Sequence, residues 1–305
     1  MPNYIDTAFV KIFHDNILMA LQQRGSRLRP YVTNDVLRGE QMFYDVLDKD
    51  DDITTLVDDN TSVDTRHPDT VITDPTWNRR MVTGKFLTKA YLIENKDRVR
   101  MLADPTDKYI LNIANAMGRK IDKIILNAAT GTAYTGKDGT TAVDLPSTQV
   151  VAHDDKGLTF DKLMQAKEIL DSADVPPDEP RYLVLPARQV FKLLDDLAGT
   201  NLTRDADTVR AIAQGGLDTY MGFKFIMTNL TNTETVTLSD GTTTKTADDV
   251  ICFTQEGILL AINKETQAKI SERPDKNYAT QIFFGMYVGG TRLDEQRVVK
   301  IQAVQ

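Results

Sequence analysis

Cysteine is nearly absent from this 305-residue chain: Cys252 is the single one. That excludes an intramolecular disulfide and any zinc site built from several thiolates. Cys252 lies in the apolar run Val250-Ile251-Cys252-Phe253, where a buried, inert thiol is expected and a reducing cytoplasm suits it. Histidine is scarce as well. His14, His67 and His153 fall in different expected elements, no two share a metal-ligand spacing, and no Ser or Cys elbow accompanies them. No catalytic residue, cofactor or metal site is assigned on this pattern. Long apolar runs are also missing. No uncharged stretch approaches the ~20 residues of a membrane span, and residues 1–6 lack the basic start of a secretion signal. A soluble protein made in the cytoplasm, with no membrane partner, is the expectation. A basic surplus is the last thing lacking. Thirty-six Lys and Arg face 44 Asp and Glu, for a formal net charge of -8. Binders of nucleic acid draw affinity from neutralising phosphates, so nucleic acid is not expected as the main ligand.

What is present is ordinary globular material. Hydrophobic residues make up 41% and charged residues 26%, enough to bury a core in one large domain or two modest ones. Residues 5–22 read as an amphipathic helix, with Phe9, Phe13 and Ile17 four apart and Ile12 and Met19 beside them. Arg24, Arg27 and Arg29 follow, then Asp35 and Glu40, so this stretch reads as a solvated or partner-facing arm. Residues 41–95 look extended. Residues 42–47 form one candidate strand, and 77–93 is the longest strand-like run, with neither side cleanly apolar. That pattern suits a projecting hairpin better than the centre of a core sheet.

The clearest helix follows at 105–129. Asp104 can cap it, Pro105 suits the first position, and Ile110, Ile113, Met117, Ile121, Ile124 and Ala128 recur at three and four. At about 1.5 Å per residue it is nearly 40 Å long and serves as a spine for a sheet. The pattern then alternates: a helix from Phe160 to Asp171, a buried strand over 181–185, a helix after Pro186, and a strand over 222–227. Residues 229–249 are rich in Thr, Asn and Asp, with a Ser239-Asp240-Gly241 turn that predicts a surface hairpin. Strands are expected at 250–253, 257–262, 278–288 and 298–303.

Two stretches imitate chemistry. Gly131 to Lys137 has phosphate-loop spacing, but Asp138 stands where a magnesium-holding Ser or Thr belongs, and the loop follows a helix instead of joining a strand to one. A flexible loop is the better reading. Asp48, Asp50 and Asp52 alternate like a calcium loop, yet Ile53 replaces the turn glycine and Asp59 the final bidentate Glu. A solvated or partner-facing acidic strip is expected there. With 44 acids, chance carboxylate pairs carry no catalytic assignment.

The order of elements, with three local passages, is similar to the major capsid proteins of tailed bacteriophages and their Hong Kong 97-type fold. Asp178-Glu179-Pro180-Arg181-Tyr182-Leu183-Val184-Leu185-Pro186-Ala187-Arg188-Gln189 resembles the turn–strand–helix passage of that family's axial domain. Tyr220-Met221-Gly222-Phe223-Lys224-Phe225-Ile226-Met227-Thr228-Asn229 resembles its glycine-led strand. The stretch from Ala279 through Phe283-Phe284-Gly285-Met286-Tyr287-Val288-Gly289-Gly290-Thr291-Arg292 resembles the closing strand of its peripheral domain. The resemblance implies an α+β chain divided into an N-terminal arm (1–40), an extended loop (41–98), a peripheral domain (99–155 with 250–305, spine helix 105–129) and an axial domain (156–249, with the Thr-rich hairpin at 231–249). It implies no cofactor and no catalysis. The implied partners are copies of the chain in pentamers and hexamers, a portal, and double-stranded DNA faced without sequence specificity. No long charged N-terminal extension is present, so a separate scaffolding protein is expected. At the contact between copies, Arg79, Arg80, Lys85 and Lys89 on the loop are expected to meet an acidic strip containing Asp50, Asp51 and Asp52. The alternatives are an encapsulin-like nanocompartment shell, a different virion component such as a tail or decoration protein, and, in another class, a soluble α/β enzyme with an acidic site.

Overall fold

The computed structural model describes residues 22–47, 77–94, 106–199 and 219–305. The expected arm helix, the acidic strip with Asp50, Asp51 and Asp52, and the Asp104–Pro105 helix start lie outside the described residues.

The first described segment crosses the molecule and ends in β1 (Thr33–Asp35), followed by β2 (Gln41–Leu47), β3 (Trp77–Thr83) and β4 (Lys85–Ile93). The run expected as one strand over 77–93 is thus two, belonging to different sheets. The break falls at Gly84, where a Cβ would sit 2.2 Å from the Tyr287 ring and 2.4 Å from Leu37. Only glycine fits, and its amide donates to the Glu40 carbonyl at 3.0 Å.

Helix α1 (Thr106–Thr130) is the spine. Ile113, Met117, Ile121, Ile125 and Ala129 are buried, while Ile110, Ile124 and Ala128 pack along the margin. Each fully buried aliphatic side chain contributes on the order of 2 kcal/mol. Beyond Gly131, β5 (Ala133–Thr135) and β6 (Thr141–Val143) form a hairpin where a flexible loop was expected. Gly136 and Gly139, at φ of +95° and +64°, make its tight turn possible.

The rest of the chain supplies β7 (Val150–Val151), α2 (Phe160–Ser172), β8 (Arg181–Leu185), α3 (Ala187–Gly199), β9 (Thr219–Tyr220), β10 (Phe223–Met227), β11 (Thr233–Thr237), β12 (Thr244–Thr254), β13 (Ile258–Arg273), β14 (Ala279–Arg292) and β15 (Val298–Val304). One sheet runs β1-β13-β14-β4 and a second β2-β3-β5-β6. The largest runs β7-β15-β12-β8-β10-β9, with β11 added on β12. Strand β13 continues eleven residues beyond the expected Ile262, through the charged stretch to Arg273. Its long antiparallel pairing with β14 holds it there and its own pattern does not.

The largest sheet is covered on both faces, which is why Arg181–Leu185 is buried at every position. Leu183, Leu185, Val250 and Cys252 pack under α2 and α3. Tyr182, Val184, Ile251 and Phe253 face α1. The Cys252 thiol is fully buried, and burial raises its pKa. The sheet draws strands from both expected segments, 156–249 and 250–305, with β12 running across their junction.

Several buried polar side chains are held by groups distant in sequence. Lys162 is almost fully buried, and its ammonium donates to the carbonyls of His153, Lys156 (2.9 Å), Gly157 (3.1 Å) and Gln302 (3.1 Å). Burial draws its pKa down to about 8. The Thr-rich hairpin is the expected β11–β12 turn, and its tip is tied down: the Ser239 amide and hydroxyl both donate to the Asp155 carboxylate.

Asp122, fully buried on α1, gathers the first described segment. Its carboxylate accepts from Gln23 Nε2 (2.5 Å), Ser26 Oγ (2.5 Å) and the amides of Arg27 (3.0 Å) and Leu28 (3.1 Å). The backbone passes so close at Gly118 that a Cβ there would lie 2.3 Å from the Gly25 carbonyl carbon. The same segment then reaches the largest sheet. Arg27 donates to the Met227 carbonyl at 2.5 Å, and the Tyr31 ring meets Tyr182 at 4.8 Å. Asp122→Ala is expected to cost on the order of 3 kcal/mol, because several buried donors lose their acceptor together. Chemical denaturation with hydrogen exchange at the Arg27 and Leu28 amides measures it; unchanged protection would show that the carboxylate does not hold this segment.

Candidate assembly surface

The β2–β3 hairpin presents two faces of opposite character because side chains alternate along each strand. Inward, Val82 is fully buried, with Met42 and Tyr44 packed against Leu37, Leu259, Ala261, Tyr287 and Leu293. Outward, the antiparallel register sets Phe43 opposite Met81, Asp45 opposite Arg79 and Leu47 opposite Trp77, and β5 adds Tyr134 beside Met81. Trp77 is 63% exposed, Leu47 56%, Tyr134 44% and Phe43 36%. Four large apolar side chains on one exposed sheet face form the kind of patch that marks an interaction surface.

An ion pair sits in the middle of that face. Arg79 grips Asp45 through two nitrogens at 2.6 and 3.1 Å, and its guanidinium lies 5.7 Å from the centre of the Phe43 ring. The Arg79 guanidinium lowers the Asp45 pKa. Beside the pair is an open concavity of about 640 Å³ lined by Asp45, Trp77, Asn78, Arg79, Thr135, Gly136 and Lys137. This is where the phosphate-loop lookalike lies; Lys137 borders it at the turn of a β-hairpin.

Arg80 points the other way, into the root of the hairpin. It is 6% exposed, with Nε donating to the Leu293 carbonyl (3.1 Å) and Nη2 to Glu295 Oε2 (2.5 Å). Glu295 also reaches Arg292 Nε at 3.4 Å. Arg292, fully buried, donates to the carbonyls of Ala129 (3.0 Å), Gly131 (2.8 Å) and Val143 (3.1 Å). Two guanidiniums and one carboxylate thereby join the hairpin, the end of α1, the β5–β6 hairpin and β14.

Of the residues expected at a contact between copies, Arg79 and Arg80 therefore already have carboxylate partners in their own subunit. Lys85 and Lys89 are exposed on β4 and have no ion-pair partner among the described residues; Lys89 lies 5.4 Å from the centre of the Tyr91 ring. Asp50, Asp51 and Asp52 lie outside the described residues. Sequence reasoning missed Phe43, Leu47, Trp77 and Tyr134 as one patch, since they come from three strands that register alone brings together. It also missed Arg292 and Glu295, whose spacing of three carries no signal by itself. Among the described residues no three His, Cys, Asp or Glu side chains gather as metal ligands, and no helix is long and apolar enough to cross a membrane.

The comparisons agree with this architecture. The family model for phage capsid protein matches residues 5–305. No curated relative matches the chain. The capsid protein of cyanophage Pam1 superposes with a TM-score of 0.72 at 15% identity, covering 100% of this chain and 99% of that one. That of Ralstonia phage GP4 gives 0.71 at 11% identity, covering 100% and 97%. That of cyanophage P-SCSP1u gives 0.71 at 15% identity, covering 98% and 94%. At these identities the likeness is one of fold, and the fold is the α+β, Hong Kong 97-type architecture. With the family model spanning nearly the whole sequence, the chain belongs to the phage capsid protein family and is a structural component of the virion, a major capsid protein of the tailed-phage type.

Proposed function

We propose that the chain assembles through pentamers and hexamers into an icosahedral shell around double-stranded DNA, which its acidic wall faces without sequence specificity. A scaffolding protein and a portal are the further partners, and synthesis takes place in the host cytoplasm. In this reading residues 1–40 are an arm, 41–98 an extended loop lying over a neighbouring subunit, 99–155 and 250–305 a peripheral domain, and 156–249 an axial domain. The observation that supports it is the exposed apolar face on a hairpin whose root is fixed. Two strands alone are marginal in water; here the inner face and Arg80 hold the hairpin, leaving Phe43, Leu47, Trp77 and Tyr134 for another copy. Many such contacts of modest strength allow reversible association, and closure of a symmetric shell then stabilises them together.

Negative-stain electron microscopy of the purified chain, alone and co-expressed with a candidate scaffold, tests the proposal. Closed shells, or shells mixed with rings, are expected; a small oligomer at every protein and salt concentration would contradict it. The root makes a second test. Glu295→Ala leaves two buried guanidiniums without their carboxylate, at a cost of about 3–5 kcal/mol, and is expected to lower both the unfolding temperature and the yield of shells. Yield equal to wild type at a temperature where the variant is folded would show that the root does not position the hairpin.

A further inference from the structure

The charges of this chain are unevenly placed. Against a formal net charge of -8, α1 carries Lys108, Arg119, Lys120 and Lys123, and from Lys108 to Thr130 its one carboxylate is Asp122. Asp122 is fully buried and turned to the strap of residues 23–28, so the solvent face of the helix is cationic. Lys108, Lys120 and Lys123 are exposed, with no ion-pair partner among the described residues. Basic residues border that face on both sides. On one side the strap crosses α1 with Gly25 against Gly118, which sets exposed Arg24 beside the helix. Arg119 ties the strap there, donating to Gln22 Oε1 (2.7 Å) and the Gln23 carbonyl (3.1 Å). On the other side, a groove of about 250 Å³ between α1 and β4 is lined by Lys85 and Lys120 and by no acidic residue. Lys89 follows Lys85 on the same face of β4. Carboxylates stay at the margins. Asp35, near the strap arginines in sequence, is drawn away to the Tyr44 hydroxyl (2.7 Å). Asp144 meets the groove only at its end, through Thr132, and Glu40 and Glu94 lie at the two ends of β4.

We propose that this basic belt binds the phosphate backbone of the enclosed duplex, so that an otherwise acidic shell attracts its DNA along one strip of each subunit. The proposal rests on the shell reading and adds to it the surface that touches the DNA. Charge complementarity selects a polyanion, and three further features select a duplex. Lys108 and Lys123 lie about 22 Å apart along the helix, a length over which each strand of a duplex presents about six phosphates. The cations are exposed lysines on a straight element, which hold phosphates and position a duplex without reading its bases. Tyr109 is stacked with Tyr91, ring centres 5.4 Å apart, which leaves the described part of the belt without a free ring for an unpaired base. The belt also shares no residue with the outer face of the β2–β3 hairpin, so a copy docked there leaves it open.

Salt dependence tests the belt. Each phosphate contact contributes about 0.9 to the slope of log affinity against log salt. Anisotropy of a labelled random-sequence duplex, titrated with the full-length unassembled chain at several salt concentrations, measures that slope. The triple variant Lys85→Gln, Lys120→Gln, Lys123→Gln alters exposed side chains and is expected to keep the wild-type unfolding temperature while lowering the slope by about 2 to 3. Lys245→Gln, Lys269→Gln, Lys276→Gln makes the same charge change at exposed positions elsewhere and is expected to leave the slope within about 1 of wild type. Equal weakening by both triples would reduce the effect to net charge and overturn the belt. So would poly-glutamate that displaces the duplex at a lower concentration of charge, which would mark an acidic polypeptide as the partner. Closed shells are expected not to bind added duplex; binding to intact shells that the belt variant abolishes would place the belt outside and overturn the contact with enclosed DNA. Each of these results leaves the shell reading standing. Absence of wild-type shells under the microscope would instead overturn that reading, and the enclosed duplex with it.

Discussion

Three side chains, Arg80, Glu295 and Arg292, fix how the parts of this subunit meet. Burying ions costs several kcal/mol each unless every charge finds partners. Arg292 meets that demand with three backbone carbonyls and one carboxylate oxygen, and Glu295 spends its other oxygen on Arg80. The carbonyls come from the end of α1, from Gly131 just beyond it and from β6, so this arrangement forms only when helix, hairpin and closing strand are in place. Burial also lowers the pKa of Arg292, with Glu295 opposing. A carboxylate shared by two guanidiniums contributes less to net stability than to uniqueness: moving the β2–β3 hairpin would leave Arg80 buried without its acceptors.

Asp122 plays the corresponding part on the other side of α1. It collects four donors from residues 23–28, and that segment continues to Met227 and Tyr182 on the largest sheet. The spine is therefore held on several sides: by β13 and β14, by the largest sheet, and by a strap that joins them. A helix so enclosed gives the assembly surface a rigid base. The exposed apolar side chains of the hairpin then act from a fixed position, which lowers the entropy lost when a partner docks.

Much of this was legible in residue order. The apolar repeat of Ile113, Met117 and Ile121 predicts α1, the uninterrupted Tyr182-Leu183-Val184-Leu185 predicts a buried strand, and Ser239-Asp240-Gly241 predicts its turn. What was not legible depends on pairing across long separations. The charged stretch after Ile262 is a strand because β14 lies beside it, and Gly84 ends β3 because Tyr287, two hundred residues on, occupies the space of a side chain. Arg79 and Arg80 look alike in sequence, yet strand alternation turns one to the outer face and the other into the root. The outer patch was hidden for the same reason: Phe43, Trp77 and Tyr134 are neighbours only once β2, β3 and β5 are in register.

Trp77 is the single tryptophan of the chain and stands on the outer face of the hairpin, 63% exposed, so its fluorescence reports that face alone. The direct measurement follows emission and acrylamide quenching from free subunits to assembled particles. A shift of the emission to shorter wavelength with loss of quencher access on assembly is the outcome expected if the rooted hairpin carries the contact between copies. A tryptophan as exposed in the particle as in the free subunit would contradict it.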